Sequence, residues 1–332
     1  MAGTQTDTAS SLVAFSCDVL LEGRTEWIRR RKETREILTE TAVRHRMSLD
    51  FEVDGLPRTG DGERLACLVP LALLPKQPRR FTCFDLVDEA GRSLPLPTLV
   101  DNAALSAEIL VEAARRVLAP EHPSPELLAE LRLIARSETD LALALVRRAY
   151  LDPQGAVATD DDAPDRGRLI ANPDFRWLLR TLAYSSVVAV ELPLDERPRR
   201  IVKLAYDEHV ADVTDVRKKT IVAKLGAWGY RLGWRGYVAE YMTPFAGARS
   251  YHVEVHAPPG MQLLDAGMND QPATVEDRRC VHLYRGDARR ERTVISYVQF
   301  RVRGPGFVGA ASQVSFLIFC SLAVAWHEAE RL

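Results

Sequence analysis

The period of the hydrophobic pattern changes twice along this chain, and this limits the folds that are open to it. In residues 49–53 apolar and acidic residues alternate (LDFEV), which is the period of two expected of a strand with one buried face. Between residues 102 and 150 the apolar residues recur at helical spacing, and from residue 187 onward short strand-like segments return. The sequence therefore predicts a β-rich α+β fold with a helical insertion.

The first hundred residues (1–100) are predicted to form an N-terminal β-rich region. Residues 81–99 are predicted as a strand, a turn and an extended return, in which Pro95 and Pro97 favour a position at the edge of a sheet. The segment 26–41 (EWIRRRKETREILTET) is compatible with a charged helix or with two solvated strands, and the sequence leaves that choice open.

Residues 101–186 are predicted to form a helical region. The first amphipathic helix takes Asp101 or Asn102 as its cap. The second opens with proline at its first position, Pro125, and is predicted to continue to Tyr150.

Residues 187–303 are predicted to form a β-sandwich-like domain. A solvated acidic linker at 155–167 and a short helix that starts at Asn172 precede it. Roughly seven short strands separated by turns are typical of a sandwich. Two hairpins are expected among these strands, one across 258–260 (PPG) and one that turns near 286–287 (GD).

An apolar segment without a single charge lies near the C-terminus, at 309–326. As a helix its 18 residues would span about 27 Å, close to the hydrocarbon thickness of a bilayer. Arg301 and Arg303 precede it and Trp326 lies at its far end, so these residues are the predicted membrane-interface contacts. The alternative is a buried core or interface helix, because polar residues dilute its first turns.

The charge and cysteine content exclude several classes of protein. With 44 basic and 46 acidic residues the net charge is −2, which argues against a dedicated nucleic-acid binder. The five cysteines are scattered without a CxxC spacing, so neither a disulfide framework nor a cysteine-rich zinc site is indicated. The N-terminus has no secretory signal pattern, and the region before the apolar segment is therefore expected to be cytoplasmic.

The sharpest constellation for chemistry is a strand-like segment in which His252, Glu254 and His256 alternate with apolar residues. Alternate residues of a strand lie on one face, about 6.6–7 Å apart. Two such imidazoles could bind zinc with a third ligand from a neighbouring strand, for which His282 and His209 are the candidates. The alternative is the solvent-facing side of an edge strand, with the residues between them facing inward.

Two basic clusters, 29–32 and 217–224, could contact phosphates or anionic headgroups. The second precedes aromatic residues in 228–237, which suits a membrane interface or a stacked nucleic acid. A strand face packed on a core fits this pattern at least as well. The sequence contains no phosphate-binding loop, dinucleotide fingerprint, nucleophile elbow or kinase motif set.

Three stretches carry a resemblance: FTCFDLVDEAGRSLPLPT, RRIVKLAYDE and SYHVEVHAPPGMQL, followed by a passage into an apolar helix. In these the chain resembles uncharacterised actinobacterial membrane-anchored proteins. The resemblance implies a cytosolic β-rich region carried on a C-terminal membrane segment, often with more than one span. It implies no activity and no catalytic residue.

The function predicted from these features is that of a membrane-tethered cytosolic interaction or sensing module without catalysis. Its C-terminal helix would cross the cell membrane once and bind the bilayer, while its protein partner and oligomeric state stay open. One alternative is a metal-dependent enzyme that uses a strand site of His252 and His256, with His282 as a further candidate ligand and zinc as the candidate metal; otherwise no cofactor is expected. A second alternative is a soluble assembly protein that uses 309–326 as an oligomer interface.

Overall fold

The computed structural model describes the chain over most of its length, in the ranges 3–39, 42–59, 66–76, 81–150, 164–193, 197–209, 237–244, 247–257, 261–269, 271–273, 279–288, 293–302 and 314–319. Six labelled helices lie in the first 184 residues: α1 (Gly3–Leu21), α2 (Leu99–Leu118), α3 (Pro125–Arg136), α4 (Thr139–Tyr150), α5 (Pro164–Ala171) and α6 (Pro173–Tyr184). A further short helix covers 314–319. The fold is α+β and rich in strands, as the sequence predicts.

The strands form three sheets. The six-stranded sheet has the order β12 (Cys280–Gly286), β9 (Ser250–His256), β1 (Ile28–Thr39), β2 (Ala42–Glu52), β7 (Arg199–His209) and β5 (Phe81–Asp88). The four-stranded sheet has the order β11 (Gln271–Pro272), β10 (Met261–Met268), β13 (Thr293–Val302) and β8 (Tyr237–Pro244). The three-stranded sheet has the order β3 (Arg58–Thr59), β4 (Ala66–Pro75) and β6 (Ser185–Pro193).

The six-stranded sheet combines strands from both ends of the chain. β1 and β2 pair with each other, and β1 also pairs in parallel with β9, a strand more than two hundred residues further on. The strands of the predicted N-terminal β-region and of the predicted sandwich therefore share one sheet. This placement also bears on the choice left open for 26–41: residues 28–39 form a single strand, and residues 40 and 41 lie outside the described part.

Both predicted hairpins are wrong. β9 and β10 follow each other in the chain, yet β9 pairs with β1 and β12 whereas β10 pairs with β11 and β13. β12 and β13 are divided between the same two sheets. Each connection therefore crosses from one sheet to the other, which is how a sandwich buries two apolar faces against each other.

Two apolar cores lie on the same side of the six-stranded sheet. The first joins strand residues such as Leu49 and Val202 to the helices and the three-stranded sheet, with Ile109 of α2 and Phe175 of α6 fully buried. The second joins β9 and β12 to the four-stranded sheet. β1 lies at the boundary between the two cores, because β2 on one side faces the first and β9 on the other faces the second.

The helical region follows the sequence prediction with two differences. Thr98 caps α2 in a capping box with Asp101, one turn earlier than predicted. The helix predicted from 125 to 150 is two helices, because Ser137 is extended and its hydroxyl donates to the Leu133 carbonyl. Asn172 caps α6 as predicted, with both amide donors of the first turn on its side-chain oxygen.

The N-terminal helix α1 was not predicted. A buried stripe at helical spacing is present in the sequence but includes a serine; its residues are Leu12, Ser16, Cys17, Val19, Leu20 and Leu21. Trp27 links α1 to the six-stranded sheet. Its indole ring lies 5.6 Å from the ring of Phe15 in α1 and 5.7 Å from the ring of Phe51 in β2, measured between centroids.

Within the described residues, no helix combines the length and the apolar character needed to cross a membrane. Of the predicted span 309–326, only 314–319 is described, and Trp326 and Arg303 lie outside the described residues. Arg301 is the penultimate residue of β13. Of the predicted linker 155–167, residues 155–163 lie outside the described part, and the remainder begins α5.

Candidate functional site

The outer face of β9 and β12 carries the side chains singled out in the sequence. His252, Glu254 and His256 are half-buried on this face. The residues between them point inward and are fully buried, which confirms the predicted alternation. β9 is not an edge strand, however, because it lies between β12 and β1.

His252 pairs with His282 across the two strands. Its Nδ1 lies 3.2 Å from the Nε2 of His282, and the two rings are stacked with 13° between their planes. The ring of Tyr284 lies 4.8 Å from that of His252. Burial, and to a smaller extent the nearby charge of Arg30, lower the pKa of His252, which favours the neutral form of its imidazole.

A second group lies further along the same face and consists of Glu254, His256 and Cys280. Cys280 is directly opposite His256 in the antiparallel register, and Glu254 precedes His256 by two residues. Glu254 Oε1 lies 3.1 Å from His256 Nε2 and 3.7 Å from Cys280 Sγ, and the sulfur lies 3.9 Å from Nε2. The ammonium of Lys32 binds the other carboxylate oxygen at 2.7 Å, and this contact lowers the pKa of Glu254.

The three histidines predicted as metal ligands do not meet at one point. His252 and His256 are four residues apart on an extended strand, which separates their Cα atoms by about 13 Å. The structure therefore brings His282 to His252 and leaves His256 with Glu254 and Cys280. His209 lies on β7, three strands from β9, where its ring contacts the Thr82 hydroxyl at 3.1 Å.

The Glu254–His256–Cys280 group does not have the geometry of a nucleophilic relay. In such a relay the thiol contacts one ring nitrogen of the imidazole and the carboxylate contacts the other. Here Cys280 and Glu254 both approach the same nitrogen, Nε2 of His256. Three donor atoms that converge on one point are instead typical of ligands around a cation.

A cleft of about 500 Å³ runs along β12 next to this face. Its walls are β12 itself, from Cys280 to Arg285, and the end of the four-stranded sheet at Met268 and 271–273. Small-molecule sites in proteins have volumes of about 300–1,000 Å³, so the cleft is large enough for a small ligand.

The side chains of the predicted basic cluster 29–32 lie on opposite faces of strand β1. Arg29 and Arg30 are exposed, and Lys32 is engaged by Glu254. Arg31 points to the other face, where it is buried, so the cluster does not form one cationic patch. The second cluster, 217–224, lies outside the described residues.

Sequence reasoning missed the buried charges of β1. Arg31, Glu33 and Arg35 are exposed by only 3%, 8% and 4%. Arg31 Nε donates to one oxygen of Glu33 at 2.8 Å, and Arg35 Nη2 donates to the other at 2.9 Å. Burial alone would raise the pKa of Glu33, but the two guanidiniums outweigh it and lower the value to about 2. Arg31, Glu33 and Arg35 are spaced by two residues, and this spacing is the sequence signal that could have placed all three charges on one face of a strand.

Comparison with known proteins places the chain in no family. No protein-family model matches the sequence. The curated proteins likewise contain no match to it. The likeness to actinobacterial membrane-anchored proteins therefore stays a prediction.

Proposed function

We propose that this protein is a membrane-tethered, non-catalytic interaction module, held at a lipid bilayer by the apolar segment 309–326. The observation that carries the proposal is the exposure of the 314–319 helix. Its five large apolar side chains are 55–69% exposed: Val314, Phe316, Leu317, Ile318 and Phe319. Apolar side chains exposed on every side of a helix are typical of a segment that is covered by lipid or by another protein.

The uncharged run around this helix favours lipid over a protein partner. The helix is the centre of 18 residues without a charge, and these would span about 27 Å as a helix. An interface helix needs only one apolar stripe, whereas five of the six residues of this helix are apolar and only Ser315 is polar. Arg301 and Arg303 precede the run, so the folded part would lie on the cytoplasmic side.

The recognition surface of such a module would be the cleft along β12. It lies between the edge strand β12 and the end of the four-stranded sheet, and its lining combines apolar side chains with the polar groups of Cys280, His282 and Tyr284. A cleft of this composition suits a small ligand with a few polar groups.

Membrane fractionation of the full chain tests the tether. We expect the protein to stay in the membrane pellet after an alkaline carbonate wash. The double variant Phe316→Asp/Ile318→Asp is expected to move to the supernatant, because each aspartate at the centre of a span costs about 2.5–3.5 kcal/mol.

The matched control places the same two charges on another exposed apolar pair, Leu99→Asp/Val100→Asp in the first turn of α2. This variant is expected to stay in the pellet. Release of the unmodified protein by carbonate would refute the tether. If the released protein is also an oligomer that the Phe316→Asp/Ile318→Asp variant dissociates, the segment is an assembly interface instead.

A further inference from the structure

We propose that Glu254, His256 and Cys280 form a binding site for Zn²⁺. These residues supply a carboxylate oxygen, an imidazole nitrogen and a thiolate sulfur, which are the three donor types that zinc takes in proteins. Of the residues that the structure describes, only this set of three His, Cys or acidic side chains has its ligand atoms within 4.8 Å of one another. The site is additional to the tether and does not depend on it.

The distances between the donor atoms match one face of a zinc tetrahedron. Zinc bonds of about 2.0–2.1 Å to oxygen and nitrogen and 2.3 Å to sulfur imply donor separations of about 3.3 Å for O···N and 3.5 Å for O···S and N···S. The observed separations are 3.1 Å between Glu254 Oε1 and His256 Nε2, 3.7 Å from Oε1 to Cys280 Sγ, and 3.9 Å from Nε2 to Sγ. An ion could therefore bind with donor shifts of a few tenths of an ångström.

The ligands are held by regular structure and by a neighbouring charge. All three lie on paired strands of a six-stranded sheet, so their positions are fixed by the register of β9 and β12. The carboxylate is oriented because Lys32 binds Oε2, which turns Oε1 toward the other two donors. Hydrogen bonds of this kind to a ligating carboxylate are common around protein metal sites.

Glu254, His256 and Cys280 form a site that an ion can reach from solvent and that leaves one coordination position of the metal without a protein ligand. All three side chains are half-buried on the outer face, so an ion can reach them from solvent. Three protein ligands leave the fourth tetrahedral position to water or to another ligand, as in zinc sites that act on bound molecules. Because Cys280 also lines the cleft along β12, that ligand could be a small molecule with an anionic or thiol group.

Cobalt titration of the tag-free full chain, reduced and freed of metal by a chelator, tests the site. With Co²⁺ we expect a near-ultraviolet thiolate-to-cobalt absorption band that saturates at about one equivalent and is abolished by added Zn²⁺. The band should be absent in Cys280→Ser. His256→Gln should weaken Co²⁺ binding by more than the 10- to 100-fold typical of losing an outer partner of a metal ligand.

Two matched controls remove a cysteine at the opposite edge of the six-stranded sheet and a histidine next to the site. Cys83→Ser removes an exposed cysteine on β5, and His282→Gln removes a histidine of the same face of β12. Both should bind Co²⁺ like the unmodified protein, and urea unfolding should show that all four variants are folded. A band that survives in Cys280→Ser, an equal loss in His282→Gln, or the absence of a saturating one-equivalent band would overturn the assignment.

Discussion

Replacing Glu33 by glutamine should destabilise the protein strongly, because it leaves two buried guanidiniums without the charge that lies between them. Glu33 receives charge-assisted hydrogen bonds from Arg31 and Arg35, at 2.8 and 2.9 Å. Each bond of this kind is worth about 1.5–3 kcal/mol, and breaking a buried ion pair costs about 3–5 kcal/mol. We therefore expect Glu33→Gln to lower the free energy of unfolding by about 3–5 kcal/mol.

Urea denaturation measures this loss, and a matched variant on the same strand provides the control. A loss of this size shifts the unfolding midpoint by about 1–2 M urea. Glu36→Gln removes an acid from the opposite face of β1, where Glu36 and Arg46 form a solvent-exposed pair at 3.5 Å. Exposed pairs contribute about 0–1 kcal/mol, so this control should unfold nearly where the unmodified protein does.

The pH dependence gives a second measure of the same interaction. The folded protein holds the pKa of Glu33 at about 2, below its ordinary value of 4.5. Its contribution to stability is therefore fully present above pH 4.5 and is lost as the pH falls toward 2. The difference between the unmodified protein and Glu33→Gln should shrink across this interval. A difference below about 1 kcal/mol at pH 7, or one that does not change with pH, would refute the reasoning.

Three further changes have expected outcomes in urea unfolding. Thr98→Ala removes the capping box of α2 and should cost about 1 kcal/mol. Gly267→Ala should cost about 1–3 kcal/mol, because the added Cβ would lie 2.4 Å from a ring carbon of Tyr297. The control Gly167→Ala should not show this loss, because its added Cβ meets nothing within 4 Å. Burial lowers the pKa of Lys76 to about 8. Raising the pH from 7.5 to 9.5 should therefore increase the free energy of unfolding of the unmodified protein relative to that of Lys76→Met. A difference between the two proteins that does not change with pH would contradict this.

The hydrophobic period predicted the type of most elements but not the partners of the strands. Local spacing decides whether a segment is a helix or a strand, and this was sufficient for α2, α3, α6 and several strands. Pairing is decided by contacts between residues that are distant in the chain, and β1 shows the consequence. Its neighbours are β2, which follows it directly, and β9, which follows more than two hundred residues later.

The same limit applies to the metal-binding candidates. The alternation of His252, Glu254 and His256 follows from the strand period, and the structure confirms their shared face. Which residue of β12 lies opposite each of them depends on the register between two strands. A shift of two residues in that register would place His282 instead of Cys280 opposite His256, and nothing in the sequence alone selects between the two registers.

The buried charges of β1 supply one physical reason why the sheets align as they do. Arg35 donates to Ser296 of β13 and to Thr243 of β8, so a charge on the six-stranded sheet is bound to two neighbouring strands of the opposite sheet, the central β13 and the edge strand β8. A slip of β1 by one residue would bury its exposed neighbours and break these bonds. Replacing Arg31, Glu33 and Arg35 together by apolar residues should therefore recover most of the stability lost in Glu33→Gln, since no unpaired charge stays buried. The same triple variant should lose near-ultraviolet circular dichroism if the charges fix the alignment of the sheets, and an unchanged spectrum would show that apolar packing alone is enough to fix it.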